Sequence, residues 1–212
     1  MPSTDAALWC VVPAAGSGTR FGGGVPKQYL PLAGKPLLLH TLERLAAHPR
    51  IAGLMVALAA DDPYWPGLAS LHGKPVSTCI GGGERADSVL AGLCALGEKV
   101  EKDNFVLVHD AARPCVREDD ITRLIELGIA AAGALLAVPL RDTLKRADAD
   151  GFSIATEPRE ARWRALTPQL FRHGELVAAL KSARSAGITV TDEAMAMERA
   201  GFKPLLIEGA DM

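Results

Sequence analysis

From Leu8 to Val138, apolar runs of strand length alternate with segments of helical period, and this limits the possible folds more than any other feature. Strands are expected at residues 8–12, 54–59, 76–80, 105–109 and 134–138. Helices are expected at 36–47, where Pro36 suits a first turn, and at 84–96 and 119–132. A loop and a short helix fill 61–71. Such alternation argues for βαβ units around a mostly parallel sheet, an α/β fold. A chain of 212 residues suits one domain of this class, here residues 1–212.

The pattern changes after residue 140. Residues 141–160 read as two strand-like halves around Asp148-Ala149-Asp150-Gly151, and an Asp-Gly pair in that setting signals a hairpin. Few large apolar side chains lie there, so the hairpin reads as an arm rather than a core element. An extended segment at 163–166, helices at 173–186 and 193–200, the loop 189–192 and a last strand at 204–207 follow. The chain stops just after that strand, and a further C-terminal segment is expected beyond Met212.

The first strand runs directly into Val11-Val12-Pro13-Ala14-Ala15-Gly16-Ser17-Gly18-Thr19-Arg20-Phe21-Gly22-Gly23-Gly24-Val25-Pro26-Lys27. Glycines let backbone N–H groups approach an anion closely, and successive N–H groups form an anion-binding concavity. Arg20 and Lys27 add full charges to those partial ones. The stretch reads as a polyphosphate cradle at a strand end. A Walker A loop is excluded, since no glycine precedes Lys27 and Gln28 follows it. A dinucleotide fingerprint is weak, because Phe21 stands where its third glycine belongs and no ribose-binding acid lies in 35–41. A nucleotidyltransferase loop remains, in which several cations match the charge of a triphosphate. A glycine-rich surface loop with solvated charges is the bland alternative.

Net charge is −2, so no broad nucleic-acid or anionic-membrane surface is expected. No apolar run is long enough for a transmembrane helix, and the N-terminus lacks a signal peptide's basic start. Cys10, Cys79, Cys94 and Cys115 have neither zinc-site nor redox-pair spacing. They read as reduced thiols in a cytoplasmic protein.

Residues 13–38 resemble the signature of small pyrophosphorylase-type nucleotidyltransferases. The stretches GGGERADSVLAGL (81–93), VLVHDAARP (106–114), AVPLRDTLKR (137–146), ALTPQLF (165–171) and TDEAMAME (191–198) narrow the resemblance to the 2-C-methyl-D-erythritol 4-phosphate cytidylyltransferases of the non-mevalonate isoprenoid pathway. It runs from Trp9 to Gly209.

That resemblance implies a Rossmann-like wound sheet with helices on both faces and a β-hairpin dimerisation arm at 141–160. It implies transfer of a cytidylyl group from CTP to a phosphate monoester, with release of pyrophosphate. The acceptor's second pKa lies near 6, so at neutral pH it is already a nucleophile and needs no poised base. The task is to bring two anions into line and to stabilise the charge that develops. The resemblance gives that role to Arg20 and Lys27, with Arg159 joining them. It sets Ala14, Ala15, Gly16 and Gly18 against the nucleotide, and makes Gly82, Gly83 and Ser88 a cytosine pocket. A tight turn with Ser88 as a local cap is the structural alternative.

Asp110, at a strand's carboxyl end, is implied to meet the acceptor's hydroxyls or to lie close to metal and ribose. Arg113 is implied to orient Asp110 or the substrate, with His109 packed rather than acting as a base. Thr143, Arg159, Thr167 and Thr191 are implied to hold the acceptor phosphate, Thr143 and Arg159 reaching across a homodimer's two-fold axis. Magnesium would ride mainly on CTP oxygens and water, since no residue cluster demands an all-protein cage. The family's chain usually continues past this point with a phosphate-binding lysine, absent from these 212 residues. An acceptor such as ribitol 5-phosphate stays open as the alternative.

Overall fold

The computed structural model describes residues 8–16 and 24–210. Its strands are β1 (Leu8–Pro13), β2 (Pro31–Leu32), β3 (Lys35–Pro36), β4 (Ile51–Leu58), β5 (Ser70–Leu71), β6 (Lys74–Ile80), β7 (Phe105–Val108), β8 (Ala134–Pro139), β9 (Leu144–Ala147), β10 (Ser153–Glu157), β11 (Trp163–Arg172) and β12 (Leu205–Glu208). Its α-helices are α1 (Leu37–Ala47), α2 (Arg85–Leu96), α3 (Glu118–Ala130), α4 (His173–Ser185) and α5 (Glu193–Arg199). Short 3₁₀ turns cover Lys27–Tyr29 and Gly97–Lys99.

Eight strands form one mixed, mostly parallel sheet in the order β12-β8-β11-β7-β1-β4-β6-β5. β1 pairs in parallel with both β4 and β7, and the alternation of its side chains explains its central place. Leu8, Cys10 and Val12 pack with α1 and α3 on one face of the sheet. Val11 packs with α2, α4 and α5 on the other, with Trp9 against that cluster. A strand covered on both sides must be apolar throughout, as LWCVV is. In α1, Leu38, Leu42, Leu45 and Ala46 form the buried stripe. The acids Glu118, Asp119 and Asp120 open α3, where negative charge meets the positive end of the helix.

The chain steps from β1 out to β4 and β6, then α2 carries it back to β7 on the other side of β1. The strand order therefore reverses at β1. In open α/β sheets the carboxyl ends of the strands at such a switch point frame the ligand crevice. Here those ends carry Ala14–Gly16 after β1 and His109–Asp110 after β7.

Two expectations need correction. Residues 61–71 contain no helix; they are turns and irregular chain ending in β5, as Pro63, Pro66 and Gly67 interrupt any helical ladder. The segment expected at 163–166 is the start of a ten-residue strand, β11. It lies antiparallel between β7 and β8, with a register shift between Ala165 and Gln169. Pro168 inside the run reads as a strand breaker, and that bulge is how the sheet accommodates it.

The hairpin at 141–160 is present as β9 and β10, a two-stranded sheet separate from the main one. Its turn is held by Asp148, whose Oδ1 accepts from the N–H groups of Asp150 (3.1 Å) and Phe152 (2.9 Å). Gly151 supplies the positive φ, +88°, that the turn requires. Phe152 and Ile154 stand out from it, 71% and 58% exposed.

Candidate active site

Two loops meet at the switch point. The first leaves β1 through Ala14, Ala15 and Gly16. Gln28 clamps it: its Nε2 donates to the carbonyls of Ala14 (2.7 Å) and Gly16 (2.9 Å). Gln28 is buried beside Tyr29, on the 3₁₀ turn that starts at Lys27. The second loop leaves β6 through Gly81-Gly82-Gly83. A Cβ on Gly81 would sit 2.6 Å from the Ala15 Cβ and 2.8 Å from the Ser88 Oγ, so the loops touch because residue 81 has no side chain. At Gly16, Gly24 and Gly83 an added Cβ meets nothing within 4 Å, so these positions face open space.

Ser88 is buried in the first turns of α2. Its hydroxyl accepts from the Gly82 N–H (3.1 Å) and lies within reach of the Glu84 carbonyl (3.2 Å) and the Gly82 carbonyl (3.3 Å). In this arrangement it shapes the second glycine loop from behind. Gly18 and Arg20, expected beside the nucleotide, lie outside the described residues.

Lys27, Asp110 and Arg113 line one crevice with Ala112, Pro114 and Cys115, about 290 Å³ in volume. Asp110 is tightly held there. Its Oδ2 accepts from Arg113 Nε at 2.8 Å, and its Oδ1 from Arg85 Nε at 2.9 Å. Its backbone N–H donates to the Thr167 hydroxyl at 3.2 Å, so Thr167 joins the same edge. Burial alone would raise the Asp110 carboxyl, but Arg85 and Arg113 outweigh it and hold the group below the usual carboxylate range.

His109 is fully buried beneath this edge. Its Nε2 lies 2.9 Å from the Arg113 carbonyl, which only accepts, so Nε2 carries the proton. Burial pushes its pKa down to about 4, and the ring is neutral at pH 7. It supports the 109–113 turn.

Nothing in the sequence singles out Arg85 and Glu193. Arg85 opens α2 and donates from Nη1 and Nη2 to the two carboxylate oxygens of Glu193, at 2.7 and 3.1 Å. Burial opposes the charge on Arg85, yet Glu193 and Asp110 more than compensate and raise its pKa. Full burial pushes the Glu193 carboxyl up, against the pull of Arg85. In the sequence Arg85 looks like any solvated helix cation, and Glu193 like a first-turn acid. Their meeting spans 108 positions, and no local pattern signals it.

Thr191 lies just before α5 and is exposed, its hydroxyl 3.6 Å from the Met195 sulfur. Asp192 caps α5, its Oδ1 accepting from the Met195 N–H at 2.9 Å. Gln169, on β11, donates to Asp192 Oδ2 (3.0 Å) and accepts from the Ala194 N–H (2.8 Å). Thr167 and Thr191 are thus joined to Asp110 through one strand and one helix start.

Thr143 and Arg159 do not enter this crevice. With Thr156, Glu157, Pro158 and Glu160 they line a separate depression of about 350 Å³ where the hairpin leaves the main sheet. Arg159 also donates from Nη1 to the Arg141 carbonyl.

The family model described as IspD: 2-C-methyl-D-erythritol 4-phosphate cytidylyltransferase matches residues 8–212. The 2-C-methyl-D-erythritol 4-phosphate cytidylyltransferase of Xanthomonas campestris pv. campestris (strain 8004) is 60% identical over 205 residues, which are 96% of this chain and 77% of that protein. The crystal structure of the Francisella tularensis enzyme of the same name superposes with a TM-score of 0.82 at 34% identity, over 97% of this chain and 91% of that one. The Thermus thermophilus structure gives a TM-score of 0.75 at 31% identity, over 96% and 89%. By family model, sequence identity and fold together, this chain belongs to the 2-C-methyl-D-erythritol 4-phosphate cytidylyltransferase family.

Proposed function

We propose that this chain transfers the cytidylyl group of CTP to 2-C-methyl-D-erythritol 4-phosphate, forming 4-diphosphocytidyl-2-C-methyl-D-erythritol and pyrophosphate in isoprenoid precursor biosynthesis. Family membership supports the reaction. The observation that carries it within the molecule is the crevice at the switch point, where Lys27 stands with Asp110 and Arg113 beside the open face of two glycine loops.

In this reading an oxygen of the acceptor phosphate attacks the α-phosphorus. The new P–O bond forms as the bond to the bridging α–β oxygen breaks, and pyrophosphate leaves with that electron pair. Lys27, with Arg20, stabilises the charge that grows on the α-phosphate and the leaving group. Ala14, Ala15, Gly16 and Gly18 approach the triphosphate through their backbone. Gly82 and Gly83 present backbone groups to the cytosine edge, with Ser88 fixing that loop from behind. Asp110, held by two arginines, accepts hydroxyl hydrogens from acceptor or ribose. The neutral His109 takes no proton, in keeping with a nucleophile that needs no base.

Among the described residues no three His, Cys, Asp or Glu side chains stand together as a metal site, and both Asp110 oxygens already have arginine partners. This donor set suits a magnesium ion carried on triphosphate oxygens and water, with Asp110 at its edge. When bound, the ion offsets charge between the two anionic substrates.

Thr143, Arg159, Thr167 and Thr191 bind the acceptor phosphate, Arg159 also bearing on the reacting group. The separation of Thr143 and Arg159 from the Lys27 crevice fits a homodimer in which the hairpin completes the neighbour's site. The exposed Phe152 and Ile154 give that arm apolar surface to bury. Residues 1–212 act as one nucleotidyltransferase domain with 141–160 as its arm. In this reading the chain works in the cytoplasm on small molecules, apart from nucleic acid and membrane.

The test is a CTP- and Mg²⁺-dependent pyrophosphate-release assay with 2-C-methyl-D-erythritol 4-phosphate and ribitol 5-phosphate as rival acceptors. Turnover favouring the first is expected. Faster turnover of ribitol 5-phosphate would overturn the acceptor assignment, and CTP binding without any turnover would overturn the reaction.

A further inference from the structure

We infer that Arg85 is a positioning residue that locks the base-side helix to the acceptor-side wall of the site by holding Asp110 and Glu193 at once. The inference rests on the proposed reaction and adds to it a residue that touches neither substrate.

The geometry has three parts. Arg85 is the first residue of α2, immediately after the Gly81-Gly82-Gly83 loop and its neighbour Glu84. Its guanidinium spans two carboxylates, with Nε and Nη2 both 2.9 Å from Asp110 Oδ1, and Nη1 and Nη2 on the two oxygens of Glu193. Planar bidentate pairing of this kind fixes direction as well as distance, which a lysine ammonium does not. Glu193 is the first residue of α5, one position after the cap Asp192 and two after Thr191.

The contacts close a ring. Arg85 holds the Asp110 carboxylate, and the Asp110 N–H donates to Thr167 on β11. Two residues along β11, Gln169 grips Asp192 and the Ala194 N–H. From there Glu193 returns to Arg85. Four separate elements are thus linked in one ring: the guanidinium at the start of α2 touches Asp110 after β7 and Glu193 at the start of α5, and β11 joins those two through Thr167 and Gln169. Arg113 approaches Asp110 from the other side and completes the carboxylate's partners.

Two consequences follow. With Arg85 present, neither Asp110 oxygen can turn without losing an ion pair, so the face offered to the crevice is set in advance. Glu193 is buried and forms its ion pair with Arg85, so its helix start moves if Arg85 goes. Misplacing reacting groups by about 1 Å can cost on the order of a hundredfold in rate.

The test is a double-mutant cycle on Arg85 and Asp110. Arg85→Gln, Arg85→Lys, Asp110→Asn and the Arg85→Gln/Asp110→Asn double variant are purified and shown by circular dichroism to be folded at the assay temperature. Wild type is assayed first. Acceptor kcat/KM is expected to fall about 10- to 100-fold in Arg85→Gln, while the CTP dissociation constant from calorimetry moves less than about threefold. Because Arg85 acts partly through Asp110 and partly through Glu193, the double variant should fall below Asp110→Asn, yet by at least about threefold less than the product of the two single losses. Arg85→Lys, which keeps the charge but loses the planar fork, should stay within about threefold of Arg85→Gln. Multiplicative losses in the double variant, or full recovery by lysine, would overturn the role of Arg85 and leave the reaction intact. An inactive wild type would instead overturn the reaction on which the role rests.

Discussion

The contact between the two glycine loops gives a prediction with opposite outcomes at two neighbouring glycines. In Gly81→Ala the new Cβ would lie 2.6 Å from the Ala15 Cβ and 2.8 Å from the Ser88 Oγ. Carbon atoms rest at about 3.5–4.0 Å, so the first contact is too short by roughly 1 Å. Ala15 has no flexible side chain to swing away, so one loop backbone must shift. Overpacking of this kind costs about 1–3 kcal/mol. For a chain of this length each kcal/mol is about 2–4 °C in Tm, so a fall of roughly 2–12 °C is expected. The shift also parts the two loops, and CTP affinity should fall with stability. At Gly83 an added Cβ meets nothing within 4 Å and the backbone is not in the left-handed region. Gly83→Ala should therefore keep or slightly raise Tm, by about 0.4–1 kcal/mol of stability. It should still weaken CTP binding, because the space it fills is the ligand's. Differential scanning calorimetry and titration calorimetry with CTP·Mg²⁺ read the two effects separately. An unchanged Tm in Gly81→Ala would refute the packing argument. Unchanged CTP affinity in Gly83→Ala would refute the assignment of that open face to the nucleotide.

Lys27→Ala should lower kcat by about 10²–10³ while changing acceptor KM much less, as expected for charge stabilisation in the transition state; steady-state kinetics with a near-normal kcat would remove Lys27 from that role. Mixing Lys27→Ala with Arg159→Ala subunits should restore part of the activity if the hairpin completes a neighbour's site, and specific activity equal to the sum of the separate variants would argue against a shared site. Gln28→Ala strips the loop carbonyls of Ala14 and Gly16 of their clamp, at a cost of about 1–3 kcal/mol by urea denaturation and with a raised CTP KM; a fully stable variant with normal CTP KM would show the clamp to be dispensable. His109 is neutral in the fold down to about pH 4, whereas unfolded it takes a proton near 6.5. The unfolded state thus binds more protons between those values, so stability falls as pH drops through that window, by about 2–3 kcal/mol from pH 7 to 4.5. His109→Gln should flatten this slope, and urea denaturation giving equal slopes in both proteins would refute the buried neutral ring. Asp110, held below 3.8, loses its stabilising share only under more acid conditions.

The sheet and its helices were legible because their causes are local. Strand β1 is apolar at every position and α1 repeats its apolar residues at helical spacing, and each pattern can be read within a dozen residues. The Asp-Gly turn of the hairpin and the glycine runs at two strand ends belong to the same class. So do the crevice residues Lys27, Asp110 and Arg113, each of which follows directly on a strand end or loop. Strand β11 is weakly signalled in the sequence because Pro168 speaks locally against a strand, and only a bulge between two neighbours overrides it.

What the tertiary structure alone decided is how distant pieces meet. Gln28 served in the sequence only to exclude a Walker loop, yet it clamps carbonyls 12 and 14 positions away. Gly81, which has no role of its own in the sequence reading, packs directly against Ala15 in the fold. Arg85 and Glu193 look like ordinary surface charges in the sequence, because a charged residue has the same letter whether solvated or buried. The order of strands around β1 brings them together, and that order depends on which apolar faces pack best across the whole chain. Periodicity determined that this protein would be a wound sheet, and glycine runs marked two of its strand-end loops; only long-range packing decided which charges would be taken from water and paired at its edge.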